Sequence, residues 1–387
     1  MKRVLVYSQS DRICLALMEE DRLVEWTREM QQGKDDCPVL GSILMGRIQQ
    51  VQVSLNAAYV DIGLKEPAFL PLDSRDLQAY QPGAELPVQI KKYAEGYKKA
   101  VVTDNYSLQG RFTVLTALKS KTGVSAKITD QQERIRLKEL ASRFPGKGQA
   151  GYILRTESAG APEQEILQEA KALYEAYRDL EDRKKYTPVG EILYRNDSFI
   201  LNYLMSAGIG SLDEILFDSA EICRELREKL VLQHISYPQE RLRVVQDSRF
   251  TLADLYRVDA QLTDAMKERL FLQDQGYLVI QKTEALTSID VNSGNFTGFS
   301  DKEKAVTDFN LRVIPEIVRQ IRLRNLSGII LIDFINMNSE DNRQHVLEAV
   351  RKEFQKDRRK VTVYGFTSLQ LCEISREKAG LPLAEII

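Results

Sequence analysis

The feature that most constrains this chain is a pair of apolar segments that each lead into an aspartate. The segment ALTSID ends at Asp290, and the segment IILID ends at Asp333 after an unbroken apolar run. Helical periodicity from about Lys302 to Arg324 separates the two segments, and a second helix from about Glu340 to Phe354 precedes the strand VTVYGF. Strands that alternate with helices predict a sheet covered by helices on at least one face.

The two aspartates predict a metal site. If their strands are neighbours, both carboxylates emerge at the carboxyl edge of one sheet, where α/β folds usually build ligand sites. Two carboxylates, water and a substrate phosphate supply the all-oxygen octahedron that suits Mg²⁺ or Mn²⁺ rather than Zn²⁺. Either aspartate alone is better explained by helix capping or by pairing with an arginine. Asn292 beside Asp290 favours a metal site that the two aspartates share. The chemistry of such a site would be phosphoryl transfer or phosphodiester hydrolysis.

Length and charge limit the class of protein. A chain of 387 residues exceeds what one hydrophobic core usually organises, so two or more domains are expected. Hydrophobic residues make up 43% and charged residues 28%, which is typical of a soluble globular protein. The net charge of -2 gives no global attraction to nucleic acid, so a polyanion site must come from local clusters.

Two further patterns bear on the compartment. The N-terminus has no long apolar h-region, and no apolar run approaches transmembrane length, so a cytoplasmic location is predicted. The cysteines and histidines form neither a CxxC pattern nor a mixed metal pattern, so buried reduced thiols are expected. These residues are Cys14, Cys37, Cys223, Cys372, His234 and His345.

The first part of the chain predicts small β units. Residues 1 to about 35 have the pattern of paired strands, and from Gly41 five short strands follow in under about eighty residues. This spacing predicts a barrel of the OB type, with a piece of a generic β-sandwich as the alternative. Amphipathic helices are predicted over Glu163 to Lys185 and around Leu212 to His234.

The motifs resemble those of one family. EALTSIDVNSG, IRLRNLSGIILIDFINM and LCEISREK are similar to the catalytic region of the bacterial ribonuclease E/G family, which are endoribonucleases that cut single-stranded RNA. GSILMGRIQQVQVSLNAAYVDIGLKEPAFLP and ILRTES extend the resemblance upstream. It implies an α/β multidomain fold with an RNase H-like subdomain starting in residues 1–38 and an inserted OB-type RNA-binding barrel in residues 39–110. A 5′-end-sensing segment and the rest of the RNase H-like subdomain would occupy 111–270, and a DNase I-like catalytic α/β subdomain would occupy 271–387.

The resemblance also implies roles for individual residues. Asp290 and Asp333 match the Mg²⁺ ligands of the family, and Asn292 matches the residue that orients the attacking water or the scissile phosphate. The products would carry a 5′-phosphate and a 3′-hydroxyl.

Further matches concern RNA binding. Tyr59, Phe69 and Lys98 match RNA-facing positions of the barrel, and Arg155 with Thr156 matches the pocket for a 5′-monophosphate. Without the family, the aromatic residues would more often be barrel core, Lys98 would equally be part of a solvated charge run, and Arg155 would be an ordinary surface arginine.

The sequence departs from the family pattern at three places. Asn336 stands where the family usually has aspartate, and Ser368 stands near a position where some members place an arginine facing the scissile phosphate. No CPxCxGxG segment follows LPLAEII, so a homo-oligomer would not be zinc-linked.

The sequence therefore predicts a Mg²⁺-dependent endoribonuclease that acts on single-stranded RNA in the processing or decay of ribosomal or messenger RNA. The alternatives are a non-catalytic RNA-binding protein that keeps the family fold and, less well supported, a metal-dependent enzyme on DNA or small phosphoesters.

Overall fold

The computed structural model describes residues 1–10, 12–29, 40–72, 80–92, 99–117, 122–146, 148–194, 199–232, 235–247, 249–272, 276–294, 302–378 and 380–387. The chain forms two compact units. Unit 1 consists of Met1–Glu29, Leu212–Cys223 and Glu240–Ile387, and unit 2 consists of Met30–Ser211 and Arg224–Gln239.

The described residues form strands and α-helices, with strands and no α-helix before Gln131. The strands are β1 Lys2–Gln9, β2 Arg12–Glu19, β3 Arg22–Arg28, β4 Ile43–Gln52, β5 Ala57–Asp61, β6 Ala68–Pro71, β7 Glu85–Lys92, β8 Val101–Thr103, β9 Ser107–Gln109, β10 Thr113–Thr116, β11 Gly123–Val124, β12 Gly151–Leu154, β13 Ile192–Tyr194, β14 Glu214–Phe217, β15 Leu242–Val244, β16 Arg269–Phe271, β17 Tyr277–Lys282, β18 Leu286–Asn292, β19 Gly328–Asp333, β20 Val361–Phe366 and β21 Leu371–Arg376. The α-helices are α1 Gln131–Ala141, α2 Glu163–Arg183, α3 Phe199–Ala207, α4 Ala220–Leu232, α5 Leu252–Leu255, α6 Val258–Met266, α7 Lys302–Leu323, α8 Glu340–Phe354 and α9 Leu383–Ile386.

The larger sheet of unit 1 carries the two aspartates. Its order is β16-β17-β18-β19-β21-β20, and β18 and β19 are parallel neighbours, which meets the condition set for the predicted metal site. Alternate residues of the central strands, such as Ile289 and Ile332, face the hydrophobic core, to which α7 and α8 contribute their apolar stripes. The opposite face of these strands carries half-buried or exposed side chains. The sheet is therefore covered on one face by two helices.

Local sequence signals define α8. The Ser339 hydroxyl accepts a hydrogen bond from the Asn342 N–H at the helix start. Glu340 and Asp341 lie in the first turn and Arg351 and Lys352 in the last turn, which suits the helix dipole at both ends. The predicted bounds of this helix are confirmed.

The second sheet of unit 1 joins distant parts of the sequence. Its order is β15-β14-β1-β2-β3, in which β1, β2 and β3 form an antiparallel meander and β14 and β15 add in parallel to β1. The prediction of one helix around Leu212 to His234 is wrong in its first part, because Glu214–Phe217 pairs with Arg3–Val6 as a strand. All four residues of β14 are buried, and so short an apolar run has no periodicity that separates strand from helix.

Unit 2 contains the barrel. Strands β4, β5, β6, β8 and β7 follow one another in hydrogen-bonded order, and the pairing of β7 with β4 closes them into a five-stranded barrel consistent with the OB type. Gly46 allows the strands to approach closely, since a Cβ atom there would lie 2.5 Å from Val60 Cγ1. The sequence prediction of a small barrel is confirmed.

A second sheet of unit 2, β11-β12-β10-β9, packs with α1 and α2 around a separate core. The buried Glu169 carboxylate of α2 accepts hydrogen bonds from the Arg111, Phe112 and Thr113 N–H groups. These donors offset part of the cost of burying the carboxylate. The structure does not test the predicted RNase H-like and DNase I-like subdomains or their boundaries, which stay predictions.

Candidate active site

Asp290 and Asp333 lie directly opposite each other on neighbouring parallel strands, Asp290 of β18 and Asp333 of β19. Both side chains are exposed, on the face of the sheet that the helices leave uncovered. The two carboxylates therefore meet where the sequence predicts them, and solvent reaches them.

The electrostatics of the pair favour a cation. Burial and, after it, the negative charge of Asp290 raise the pKa of Asp333 above the ordinary value of an aspartate. Two carboxylates at this spacing repel each other when both are ionised, and a shared cation relieves that repulsion. Within the described ranges, no three His, Cys, Asp or Glu side chains are grouped closely enough to hold a metal ion. The described donors at this point of the sheet are the two carboxylates and the neighbouring Asn292 amide.

Asn292 adjoins the pair. It lies two residues after Asp290 on the same face of β18, and its Nδ2 donates a hydrogen bond of 2.5 Å to Asp290 Oδ2. The amide fixes the orientation of that carboxylate. All three predicted site residues of this sheet come together.

The two departures from the family pattern lie close to the same edge. Asn336 is exposed and follows β19 by three residues. Ser368 is exposed in the turn between β20 and β21, and Leu371 at the end of that turn pairs with Asp333. Asn336 and Ser368 therefore both lie just beyond the ends of strands, at the edge of the sheet where the carboxylates emerge.

Two residues that the sequence analysis did not single out hold the end of β19. Asn310 is fully buried in α7, where its Nδ2 donates to the Ile335 carbonyl (2.8 Å) and its Oδ1 accepts from the Ile335 N–H (3.1 Å). Glu303 accepts hydrogen bonds from Ser339 N–H, at 3.0 Å, and Asn342 Nδ2, at 3.1 Å. These hydrogen bonds, that of Ser339 first, lower the pKa of Glu303. The sequence carries one signal for Asn310. It is a polar amide directly after the buried Phe309, within the apolar stripe of a helix.

The predicted RNA-facing aromatic residues lie on the outside of the barrel. Tyr59 and Phe69 pair across β5 and β6, with ring centroids 6.0 Å apart in an edge-to-face arrangement. Their neighbours Ala58 and Val60 point into the barrel core instead, so the barrel-core alternative does not hold. Lys98 lies outside the described residues. Lys99 is described, and its ammonium lies 5.0 Å from the Tyr59 ring centroid.

The predicted 5′-phosphate residues lie at the end of β12. The Arg155 guanidinium donates to the Gly110 carbonyl (2.9 Å) and to the Met205 carbonyl (2.5 Å), and burial lowers its pKa. The Thr156 side chain is exposed, and its hydroxyl lies 3.3 Å from that of Ser125. Arg155 therefore joins the turn between β9 and β10 to α3, and Thr156 presents a polar surface beside it.

The arginines of α7 serve mainly within unit 1. Arg319 pairs with Glu316 at 2.7 Å, and Arg322 lies 3.2 Å from both Glu19 and Glu25.

Three cysteines, Cys14, Cys223 and Cys372, are free and buried as expected, whereas Cys37 lies outside the described residues. Among the residues that the structure describes, no helix is long and apolar enough to cross a membrane.

Comparisons with known proteins find similar sequences over nearly the whole chain. A family model described as the ribonuclease E/G family matches residues 107–379. Ribonuclease G of Haemophilus influenzae is 31% identical over 403 aligned residues, which cover 96% of this chain and 79% of the relative. Ribonuclease G of Escherichia coli (strain K12) is 32% identical and covers 93% of this chain and 76% of the relative. Ribonuclease E of a Nostoc species is 32% identical over 90% of this chain and 52% of its own length.

Proposed function

The chain belongs to the ribonuclease E/G family, and from this premise we propose that it is an endoribonuclease that cuts single-stranded RNA. The observation that supports the proposal most is the register that sets Asp290 opposite Asp333 on the open face of the sheet. A cation bound at such a point would favour phosphodiester hydrolysis, because it stabilises the negative charge that develops on the phosphate during the reaction.

We assign the cation to Mg²⁺, with Mn²⁺ as a substitute, and its protein ligands to Asp290 and Asp333. Carboxylate oxygens are the donors that these hard cations prefer. When bound, the cation would lower the pKa of a water molecule and polarise a phosphate oxygen.

Two asparagines would orient the groups that react and the carboxylates that hold the cation. The Asn292 amide holds the Asp290 carboxylate at 2.5 Å and lies on the same face of the strand, in position to align the attacking water or the scissile phosphate. Asn310 holds the backbone two residues beyond Asp333. Attack of water on phosphorus with loss of the 3′-oxygen leaves a 5′-phosphate and a 3′-hydroxyl.

The outer aromatic residues of the barrel suit the predicted substrate. Tyr59 and Phe69 offer ring faces to unstacked bases, each worth roughly 1–3 kcal/mol without dependence on base identity. Lys98 and Lys99 would add phosphate contacts. Such a surface fits single-stranded segments of ribosomal or messenger RNA, and these substrates suit the predicted cytoplasmic location.

We propose that Arg155 and Thr156 receive the 5′-monophosphate of the RNA. Support comes from the exposed Thr156 hydroxyl next to a guanidinium whose position two backbone carbonyls fix. Cleavage of 5′-monophosphorylated and 5′-hydroxyl RNA by Thr156→Val and Arg155→Ala protein tests this role. An undiminished preference for the monophosphate in both variants would remove the assignment.

The main test is cleavage of an end-labelled single-stranded RNA, with Mg²⁺ or with EDTA, by the wild-type protein and by Asp290→Asn and Asp333→Asn variants. We expect internal cuts that require Mg²⁺ and disappear in both variants, with RNA binding largely retained. Asp341→Asn, an exposed aspartate in the first turn of α8, is the matched control and should cut normally. Retained cutting by either site variant would exclude the carboxylate site.

The second candidate is a non-catalytic RNA-binding protein. Asn336 and Ser368 favour it, because both follow strands of the sheet that carries the carboxylates. Asn336 stands where the family usually has aspartate, and Ser368 stands near a position where some members place an arginine. In that case the wild-type protein binds the RNA and leaves it whole with Mg²⁺ or Mn²⁺.

A further inference from the structure

A cluster of three side chains on β16 and β17 lies beside the candidate active site. The Arg269 guanidinium carbon is 4.6 Å from the Tyr277 ring centroid, and the rings of Phe271 and Tyr277 are 6.0 Å apart at an angle of 57°. Phe271 is 74% exposed. We call Arg269, Phe271 and Tyr277 the hairpin cluster.

Strand register places the hairpin cluster on the same face as the carboxylates. Phe271 pairs with Tyr277, and Tyr277 pairs with Asn292. Directly paired residues of neighbouring strands point to the same face of a sheet. Phe271, Tyr277 and Asn292 therefore form one row across three strands.

A second row contains the aspartates themselves. Arg269 pairs with Val279, Val279 with Asp290, and Asp290 with Asp333. Since neighbouring strands are about 4.8 Å apart, the backbone of Arg269 lies about 10 Å from that of Asp290. This distance is short enough for a few nucleotides of a single strand to contact both.

The chemistry of the hairpin cluster suits a nucleotide. An aromatic face that projects into solvent costs free energy unless a flat apolar partner covers it, and Phe271 projects more than other aromatic residues of this sheet. Among the described residues, no carboxylate forms a salt bridge with Arg269, which leaves its charge available to a phosphate. A ring and a guanidinium side by side are the two elements that bind single-stranded nucleic acid.

We propose that the hairpin cluster binds one nucleotide of the RNA strand close to the scissile phosphate, with the base stacked on Phe271 and a backbone phosphate at Arg269. Tyr277 supports the Phe271 ring and the Arg269 guanidinium. The cluster thereby sets which phosphate of a bound strand reaches Asp290 and Asp333. This inference rests on the proposed endoribonuclease function.

The experiment combines a protein change with an RNA change. Single-stranded oligonucleotides of one sequence carry one abasic nucleotide, moved in steps through the positions on either side of the cut. For the wild-type protein, one abasic position should lower kcat/KM at least about 5-fold, the lower limit expected for loss of one base–aromatic stack. With Phe271→Ser the intact RNA should be cut at least about 5-fold less efficiently, and the abasic nucleotide should have no further effect.

Phe250→Ser is the matched control. Phe250 is 52% exposed in the same unit, and the guanidinium carbon of Arg249 lies 5.9 Å from its ring centroid, but it belongs to neither row of the sheet that contains the carboxylates. Its substitution should leave both kcat/KM and the response to the abasic nucleotide unchanged.

The outcomes separate this inference from the proposed function. If the wild-type protein cuts RNA through Asp290 while Phe271→Ser keeps normal kcat/KM and the same abasic response, the hairpin cluster is not a nucleotide site. If the wild-type protein does not cut, the nuclease proposal fails, and equilibrium binding of the same oligonucleotides decides the cluster separately. Equal loss of affinity at the abasic position in wild-type and Phe271→Ser protein would then overturn the assignment of the hairpin cluster as a nucleotide site.

Discussion

Asn310 shows how one buried amide fixes the chain just beyond the strand that carries Asp333. Its side chain is fully buried in the helix-covered core, and it satisfies both backbone groups of Ile335, just after the strand that carries Asp333. Both hydrogen bonds would be lost with an apolar side chain, and the Ile335 groups would lack partners.

We predict that Asn310→Leu lowers the free energy of unfolding by about 1–3 kcal/mol, the cost of leaving buried polar groups unsatisfied. Urea denaturation measures the change, and cleavage at saturating RNA should fall because Asp333 is no longer held in place. Gln344→Leu is the control, since Gln344 is exposed on α8 and contacts only the exposed Glu348 in a side-chain hydrogen bond. Normal stability of Asn310→Leu would show that the loop finds other partners.

The residues that could be predicted from the sequence are those whose chemistry conflicts with their local pattern. Asp290 and Asp333 each end an apolar segment. Their side chains come together once the two strands are neighbours in the sheet. Asn310 and Glu303 were not predicted, because the groups that they hydrogen-bond lie far along the chain and only the fold brings them together.

At the scale of elements, long periodic segments were predictable and short buried ones were not. The bounds predicted for α8 and β20 match the structure, since each has a clear period and a clear end signal. β14 was predicted as helix because four buried residues fit both periods, and its parallel pairing with β1 depends on a partner over 200 residues away. Tertiary pairing determined this element.

The packing at the start of β17 requires a glycine at position 276. A Cβ atom at this position would lie 2.5 Å from Phe309 Cζ and 2.7 Å from the Asn292 carbonyl oxygen. The carbonyl belongs to the strand that carries Asp290, so it cannot yield without moving the site.

We predict that Gly276→Ala lowers both stability, by about 1–3 kcal/mol, and cleavage, because overpacking displaces the end of β18. Thermal unfolding and kcat/KM measure the two effects. Gly123→Ala is the control, because nothing lies within 4 Å of the added methyl group, and it should be nearly neutral. If Gly276→Ala cuts RNA at the normal rate, the end of β18 tolerates displacement and the site is less rigid than the structure indicates.

At the scale of the whole molecule, ion pairs connect parts of unit 1 that are distant in sequence. Glu316 of α7 accepts hydrogen bonds from Arg319 Nη2, at 2.7 Å, and Gln320 Nε2, at 2.9 Å, and it forms a salt bridge with Arg22 of β3. Arg319 also donates to the Leu23 carbonyl at 2.7 Å. The helix that covers the sheet of Asp290 and Asp333 is thus joined to the N-terminal meander by the Arg319–Leu23 hydrogen bond and by the Arg22–Glu316 salt bridge, and the salt bridge requires an ionised Glu316.

The pKa of Glu316 gives the sign of the pH dependence. Burial alone would raise this pKa, but the hydrogen bond and charge of Arg319, the bond from Gln320 and the charge of Arg22 outweigh it, and the net pKa lies below its usual value of 4.5. A carboxyl whose pKa is lowered by folding stabilises the folded state above its unfolded pKa. That contribution is lost as the pH falls through the lowered pKa.

We predict that Glu316→Gln is less stable than the wild type by about 1–3 kcal/mol at neutral pH, the range for hydrogen bonds to a charged group. Urea denaturation at several pH values should show this difference shrinking as the pH falls below about 4.5 and on through the lower pKa of the folded protein, where the wild-type carboxyl becomes neutral too. Glu348→Gln, an exposed change on α8, should show little difference at any pH. A gap between wild type and Glu316→Gln that stays constant down to about pH 3 would mean that packing and not charge joins α7 to the meander.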